Sequence, residues 1–184
     1  MAAHPADITR FWRAAGPKRW FDKSPAFDEA IRLKFEPTHH AAARGEYDAW
    51  TQTAEGALAL LVLLDQFPRN LYRDSPHAFA TDPLARKAAR EALVLGHDQA
   101  IEPALRGFMY LPFVHSEDLT DQDLSLSLHE AMARDLNDPE QTKWSIIHRD
   151  IIVRFGRFPH RNRPLGRVTT PEEQAFLDEG GFAG

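Results

Sequence analysis

The sequence predicts an all-α fold, a compact antiparallel helical array forming one domain over residues 1–184. Three observations predict it. Capping residues recur immediately before proline, apolar residues recur three and four positions apart, and no alternating strand pattern or hairpin turn competes with them. Connections between the periodic stretches are short, and no linker is long enough to divide the chain.

Each element has its own signal. In SPAFDEAIRLKF, Ser24 precedes Pro25 as N-cap, and Phe27, Ile31 and Phe35 make one apolar face. Thr53 caps TAEGALALLVLLDQF, which is apolar all round from Ala57 to Leu64 and reads as a central buried helix, because Ala and Leu outnumber β-branched residues. Asp82 as cap, Pro83 in the first turn and Gly96 as stop bound a helix whose face is Leu84, Ala88, Ala92 and Leu95. Thr120 caps LTDQDLSLSLHEAMARDL, with Asp121 and Asp123 in the first turn and a stripe of Leu124, Leu128 and Ala131. Asp138 and Pro139 open the next helix, Gly156 ends it, and Trp144, His148, Ile151 and Phe155 form its stripe. Thr170 before Pro171 starts the last. Trp12, Trp20 and Trp50 lie in helical patterns and are expected to pack between helices.

Composition excludes whole classes of function. Hydrophobic content of 43% and charged content of 27% are ordinary for a globular chain, so no metal or disulfide staple is needed. Zero cysteines remove disulfides, thiolate catalysis and iron-sulfur clusters. A net charge of −5 gives no general attraction for nucleic acid. The N-terminus lacks a secretory pattern, and the apolar run Ala57–Leu64 is far short of the roughly 20 residues that span a bilayer. The expectation is a cytoplasmic protein with no membrane partner.

Cations gather at two Phe-Pro steps. In DQFPRNLYR, Pro68 lacks an amide proton and opposes helix continuation, so the last carbonyls of the buried segment need other donors. Arg69, Asn70 and Arg73 follow at once, and Arg69 can reach Asp65 four residues back. In RFGRFPHRNRPLGR the pattern recurs with Arg157, His160, Arg161 and Asn162. Residues 148–167 hold six arginines against the single acid Asp150, and the guanidinium fork suits a carboxylate or phosphate. That anion is either a ligand or the chain's own HSEDLTDQD segment, with Glu117, Asp118, Asp121 and Asp123.

His115, Glu117 and His148 are the candidate acid-base residues, and Asp65, Arg69, Asn70, Arg73, Arg157, His160, Arg161 and Asn162 the candidate ligand contacts. His148 on an apolar stripe also reads as a packed core histidine, and Ser116 or Thr120 as a helix cap. His115 with Glu117, or His148 with Asp150, offers metal donors without diagnostic spacing, so no metal is assigned and any cofactor is unknown. HEAMA lacks the second histidine of a zinc-protease helix, the acids after Asp121 lack a calcium loop's glycine, and no phosphate loop or serine elbow is present.

LDQFPRN, FGRFPHRN and the HSED between them, with RWFDKSPAFDEAIRLKF, GEYDAW and YLPFVHSEDLTDQ, resemble the mainly bacterial domain of unknown function 924 family over nearly the whole chain. The resemblance implies a TPR-like α-α superhelical fold and no assigned activity. Asp65, Gln66, Arg69, Asn70, His115, Glu117, Asp118, Arg157, His160, Arg161 and Asn162 match the family's motifs without carrying roles.

Three readings stay open at this level. One is a pocket, with or without catalysis, for a small anionic molecule. Another is a helical module receiving an acidic peptide, and the third is purely structural pairing of the arginines. Oligomeric state is not legible.

Overall fold

A helix to which the sequence reading gave no bounds opens the fold. The computed structural model describes residues 3–183. Helix α1 spans Pro5–Phe21 and kinks where Gly16 takes φ +72° ahead of Pro17. Glycine tolerates that left-handed backbone, so the two residues that punctuate the pattern bend the chain rather than end its helical course. There follow α2 (Pro25–Ala43), α3 (Ala54–Leu61), a π-helical turn (Val62–Gln66), α4 (Phe67–Leu71), α5 (Asp82–Val94) and the short α6 (His97–Ala100) and α7 (Pro103–Arg106). Then come α8 (Leu111–Val114), α9 (Leu119–Leu136), α10 (Lys143–Phe155) and α11 (Pro171–Asp178). No strand occurs among the described residues, and the fold is all-α.

Contacts divide the chain into two compact units, Met1–Arg73 with His77–Pro112, and Asp74–Pro76 with Phe113–Gly184. In the first, α3 is the central element, with Ala57 to Leu61 all 1% exposed or less. Helices α1 and α5 pack on it, and α2 packs on α4. Trp12 meets Phe67 and Phe108 edge-on, at 5.8 and 5.5 Å between ring centroids. Gly56 is required by close approach rather than by its φ: a Cβ there would stand 2.2 Å from the Trp50 carbonyl oxygen. In the second unit α9 packs on α10, and Ile151, Ile152 and Phe158 form a small core joined by Ile147, Phe155, Phe176 and Phe182.

Three caps fall where expected, with Ser24 accepting from the Phe27 amide, Thr53 from Gly56 and Thr170 from Glu173. Others differ. The α9 cap is Asp118, whose carboxylate accepts from the Thr120 and Asp121 amides, in place of Thr120. Thr81 occupies the α5 cap position, and Asp82 sits one residue inside the helix with its carboxylate turned to Arg69. The buried faces shift too. In α5 they are Ala85, Ala88, Ala89 and Ala92, leaving Leu84 and Leu95 outside, because small residues let α5 approach α3 closely. In α9 the buried residues are Met132 and the polar Asp121, Gln122, Ser125 and His129 rather than the leucine stripe, since the polar four find internal partners.

Pro68 was expected to end the buried helix, yet the chain passes through it. The Phe67 amide reaches back to the Val62 carbonyl, one residue further than in an α-helix, and so leaves the Leu63 oxygen without its helical donor. His39, buried at 4% exposure, supplies one from Nδ1 at 2.8 Å. Leu64, four residues before Pro68, accepts from the Thr81 hydroxyl at 2.6 Å. The Asp65 oxygen accepts from Arg69. His39 and Thr81 thus replace the donors that the π turn and the proline withdraw, which is why the helix survives. Burial pushes the His39 pKa down, against the raising effect of its bond to Leu63, so the ring is held neutral.

Thr81→Val is expected to cost about 1–3 kcal/mol, because it leaves a buried carbonyl unmet without changing side-chain volume. In a Pro68→Ala background, which restores an amide proton in the α register, urea denaturation should show a smaller loss. Equal losses in both backgrounds would contradict the donor-replacement account.

Candidate functional site

The first Phe-Pro corner lies in the first unit, and its cations meet carboxylates of that unit. Arg69 forks onto Asp82 at 3.0 and 3.2 Å and stands 3.4 Å from Asp65, which is 1% exposed. Burial acts to lower the Arg69 pKa, but the charges of Asp65 and Asp82 outweigh it and hold it above its usual value. Asn70 donates to Asp28 at 2.8 Å, and Arg73 forks onto the same carboxylate at 2.7 and 2.9 Å. Gln66 donates to Asp65. This corner is a network of polar bonds built on the π turn.

The second corner lies in the second unit and is organised by two carboxylates. Gly156, left-handed at φ +69°, ends α10, and a 3₁₀ turn over Pro159–Arg161 follows Phe158. Glu117 from HSED accepts the Phe158 amide at 2.9 Å and both guanidinium arms of Arg167 at 2.8 and 2.7 Å. Glu173 from α11 accepts Arg157 at 2.6 and 2.8 Å, Asn162 at 3.1 Å and the Thr170 amide at 2.7 Å. Arg149 pairs with Asp123 and Arg154 with Glu172. Four of the six arginines between 148 and 167 are therefore paired with acids of their own unit.

HSED itself is held rigidly. Ser116 donates to Asp121 at 2.7 Å and accepts the Asp118 amide, while Gln122, fully buried, donates to the carbonyls of Phe113, Val114 and Ser116. Ser116 thus serves the turn before α9, as its capping pattern suggested.

Around Phe158 a different arrangement appears. The guanidinium of Arg161, a residue 6% exposed, lies over the Phe158 ring with Cζ 4.6 Å from the centroid. The His148 and His160 rings flank that ring at 5.5 and 5.6 Å, and His115 stands 6.4 Å from His148. His148 is bonded through Nδ1 to the Trp144 carbonyl at 2.7 Å. With Nδ1 donating, the neutral ring presents its lone pair on Nε2, the arrangement of a base. Of the candidate residues, His115, Glu117, His148, Arg157, His160, Arg161 and Asn162 belong to this unit, and Asp65, Arg69, Asn70 and Arg73 to the first. Among the described residues no group of three or more acidic or histidine side chains is arranged to hold a metal.

The carboxylates stay ionised for opposite balances of the same causes. Burial pushes Glu117 up, but the bonds from Arg167 and the Phe158 amide, with the charges of Arg161 and Arg167, bring it below its ordinary range. The Arg157 hydrogen bond dominates at Glu173 and, against desolvation, draws its pKa down to about 2. Two residues of this assembly escaped the sequence reading. Glu173 is the third helical residue after the Thr170 cap, a capping-box position visible in TTPEE. Phe182 had no local signal.

The DUF924 family, described as a bacterial protein of unknown function, matches residues 8–181. A solved protein of unknown function from Agrobacterium tumefaciens is 50% identical, with a TM-score of 0.91, covering 96% of this chain and 97% of its own. No curated protein matches the chain.

Because Glu173 has a lower pKa folded than unfolded, its stabilising effect is present above about pH 4.3 and is lost as pH falls toward 2. Thermal denaturation followed by circular dichroism should give a Glu173→Gln variant with a lower Tm at pH 7 and a flatter dependence between pH 5 and about pH 2. An unchanged slope would contradict the assignment.

Proposed function

This chain belongs to the DUF924 family, which assigns no chemistry, so its activity is argued from the site; we propose that the cluster around Phe158 binds a small anionic molecule, a phosphate or carboxylate, and moves a proton on it. The observation that carries this reading is the gathering of Arg161, His148 and His160 about one buried ring, with His115 beside His148.

Each group has a role in the proposal. Arg161, fixed over Phe158, supplies a fork for the anion, and His160 on the same turn supplies a further donor. His148, oriented by the Trp144 carbonyl, exchanges a proton through Nε2, with His115 beside it. Glu117 keeps its charge and positions Phe158 and Arg167 rather than titrating. Arg157 and Asn162, both bonded to Glu173, frame the turn. Asp65, Arg69, Asn70 and Arg73 do the same for the first corner, so ligand binding is proposed for His160 and Arg161 and proton exchange for His148.

No helix among the described residues is long and apolar enough to cross a membrane. A diffusing anion in water is the proposed partner.

Inorganic phosphate should raise the Tm of the protein, by an amount equivalent to about 2.7 kcal/mol at 100 times its Kd. Arg161→Lys, which keeps the charge and loses the fork, should weaken phosphate binding about tenfold or more in calorimetric titration. Phosphate that neither shifts the Tm nor binds would refute the reading. So would a folded Arg161→Lys protein that binds as tightly as the parent.

A further inference from the structure

The segment after α11 carries a ring, Phe182, that has no part in the hydrogen bonds above. Helix α11 closes with the Gly180 amide bonded to the Leu177 carbonyl at 3.2 Å and the Gly181 amide to the Phe176 carbonyl at 2.9 Å, with Gly180 left-handed at φ +83°. This paired closure reverses the chain. Gly181 permits it sterically, since a Cβ there would stand 2.5 Å from both the carbonyl oxygen and the ring of Phe176. The reversal delivers Phe182 onto the site.

There the ring lies 4.4 Å from His148, 5.2 Å from His160 and 6.1 Å from Trp144, between centroids. Two imidazoles and an indole are a polar-edged lining for a phenyl group. Phe182 packs against the core of Ile151, Ile152 and Phe158 and also meets these N–H-bearing rings, the kind of slot that holds a planar ring by stacking and edge contacts. Trp144, at the outer side, is 54% exposed, while His148 behind Phe182 is 6% exposed. The ring therefore covers the same histidine whose Nε2 the proposed chemistry uses.

We propose that Phe182 is a built-in occupant of an aryl subsite, and that the ligand is a small aromatic anion whose ring takes the place of Phe182 between Trp144, His148 and His160. The anion of such a ligand then falls to His160 and Arg161, which share the turn beside this slot. This rests on the anion reading above and names its substrate class. The segment after α11 acts as a competitor: it keeps the slot dry when empty and withdraws when a ring with a negative group enters.

The test uses three probes on the full chain by calorimetric titration: inorganic phosphate, phenol and phenyl phosphate. Removal of the occupant in Phe182→Ala should tighten phenyl phosphate about tenfold and make phenol binding measurable, while inorganic phosphate changes less than about twofold. Gly181→Ala, which keeps the ring but disturbs the reversal, should shift phenyl phosphate in the same direction and serves if Phe182→Ala folds poorly. Phenyl phosphate binding no tighter in either variant, with inorganic phosphate still bound, overturns the aryl subsite and leaves the anion reading standing. Phenol gained on opening, with inorganic phosphate bound by no form, supports the aryl slot and overturns the anion reading.

Discussion

The second unit's corner hangs on Glu117. Its two carboxylate oxygens receive the Phe158 amide and both arms of Arg167, joining the loop before α9 to the turn after α10 through one side chain. Phe158 is fully buried, so its amide is a donor that water cannot serve, and an unmet buried group costs about 1–3 kcal/mol. Once the Phe158 amide is fixed, the ring is fixed. The positions of Arg161, His148 and His160 follow from packing against it.

An acidic chain gathers arginines at its Phe-Pro steps largely to close its own turns. Asp28, Asp82, Glu117 and Glu173 each accept from an arginine fork, and each links segments distant in sequence. Such pairs add specificity of geometry more securely than net stability, because desolvation offsets much of their attraction. The π turn serves the same end in the first unit. It shifts the helical register ahead of Pro68, and His39 and Thr81 then bind the carbonyls that the shift and the proline free, tying α2 and the start of α5 to the central helix.

Much of the fold was legible because its signals are local. Ser24, Thr53 and Thr170 cap as their spacing implied, Gly96 and Gly156 stop their helices, and Ala57–Leu64 is buried throughout. Helix α1 was left without bounds because Gly16 and Pro17 interrupt its pattern, the face of α5 was misread because alanines pack it on the central helix, and that of α9 because its buried polar groups find internal partners. Within the site, the link between HSED and the second Phe-Pro turn was open as one of two partners for the arginines, and Glu117 with Asp123 took it up in part. Phe182 was invisible, since its place depends on a glycine-mediated reversal that brings together residues 34 positions apart in sequence, His148 and Phe182.

The central claim is that the histidines about Phe158 form one anion-responsive group. Nuclear magnetic resonance of the nine histidine side chains, with and without inorganic phosphate, tests it most directly. The account predicts that the His115, His148 and His160 signals move together with one binding curve while those of buried His39 and His129 stay in place. Signals that remain still at saturating phosphate, or all nine drifting alike, would contradict it.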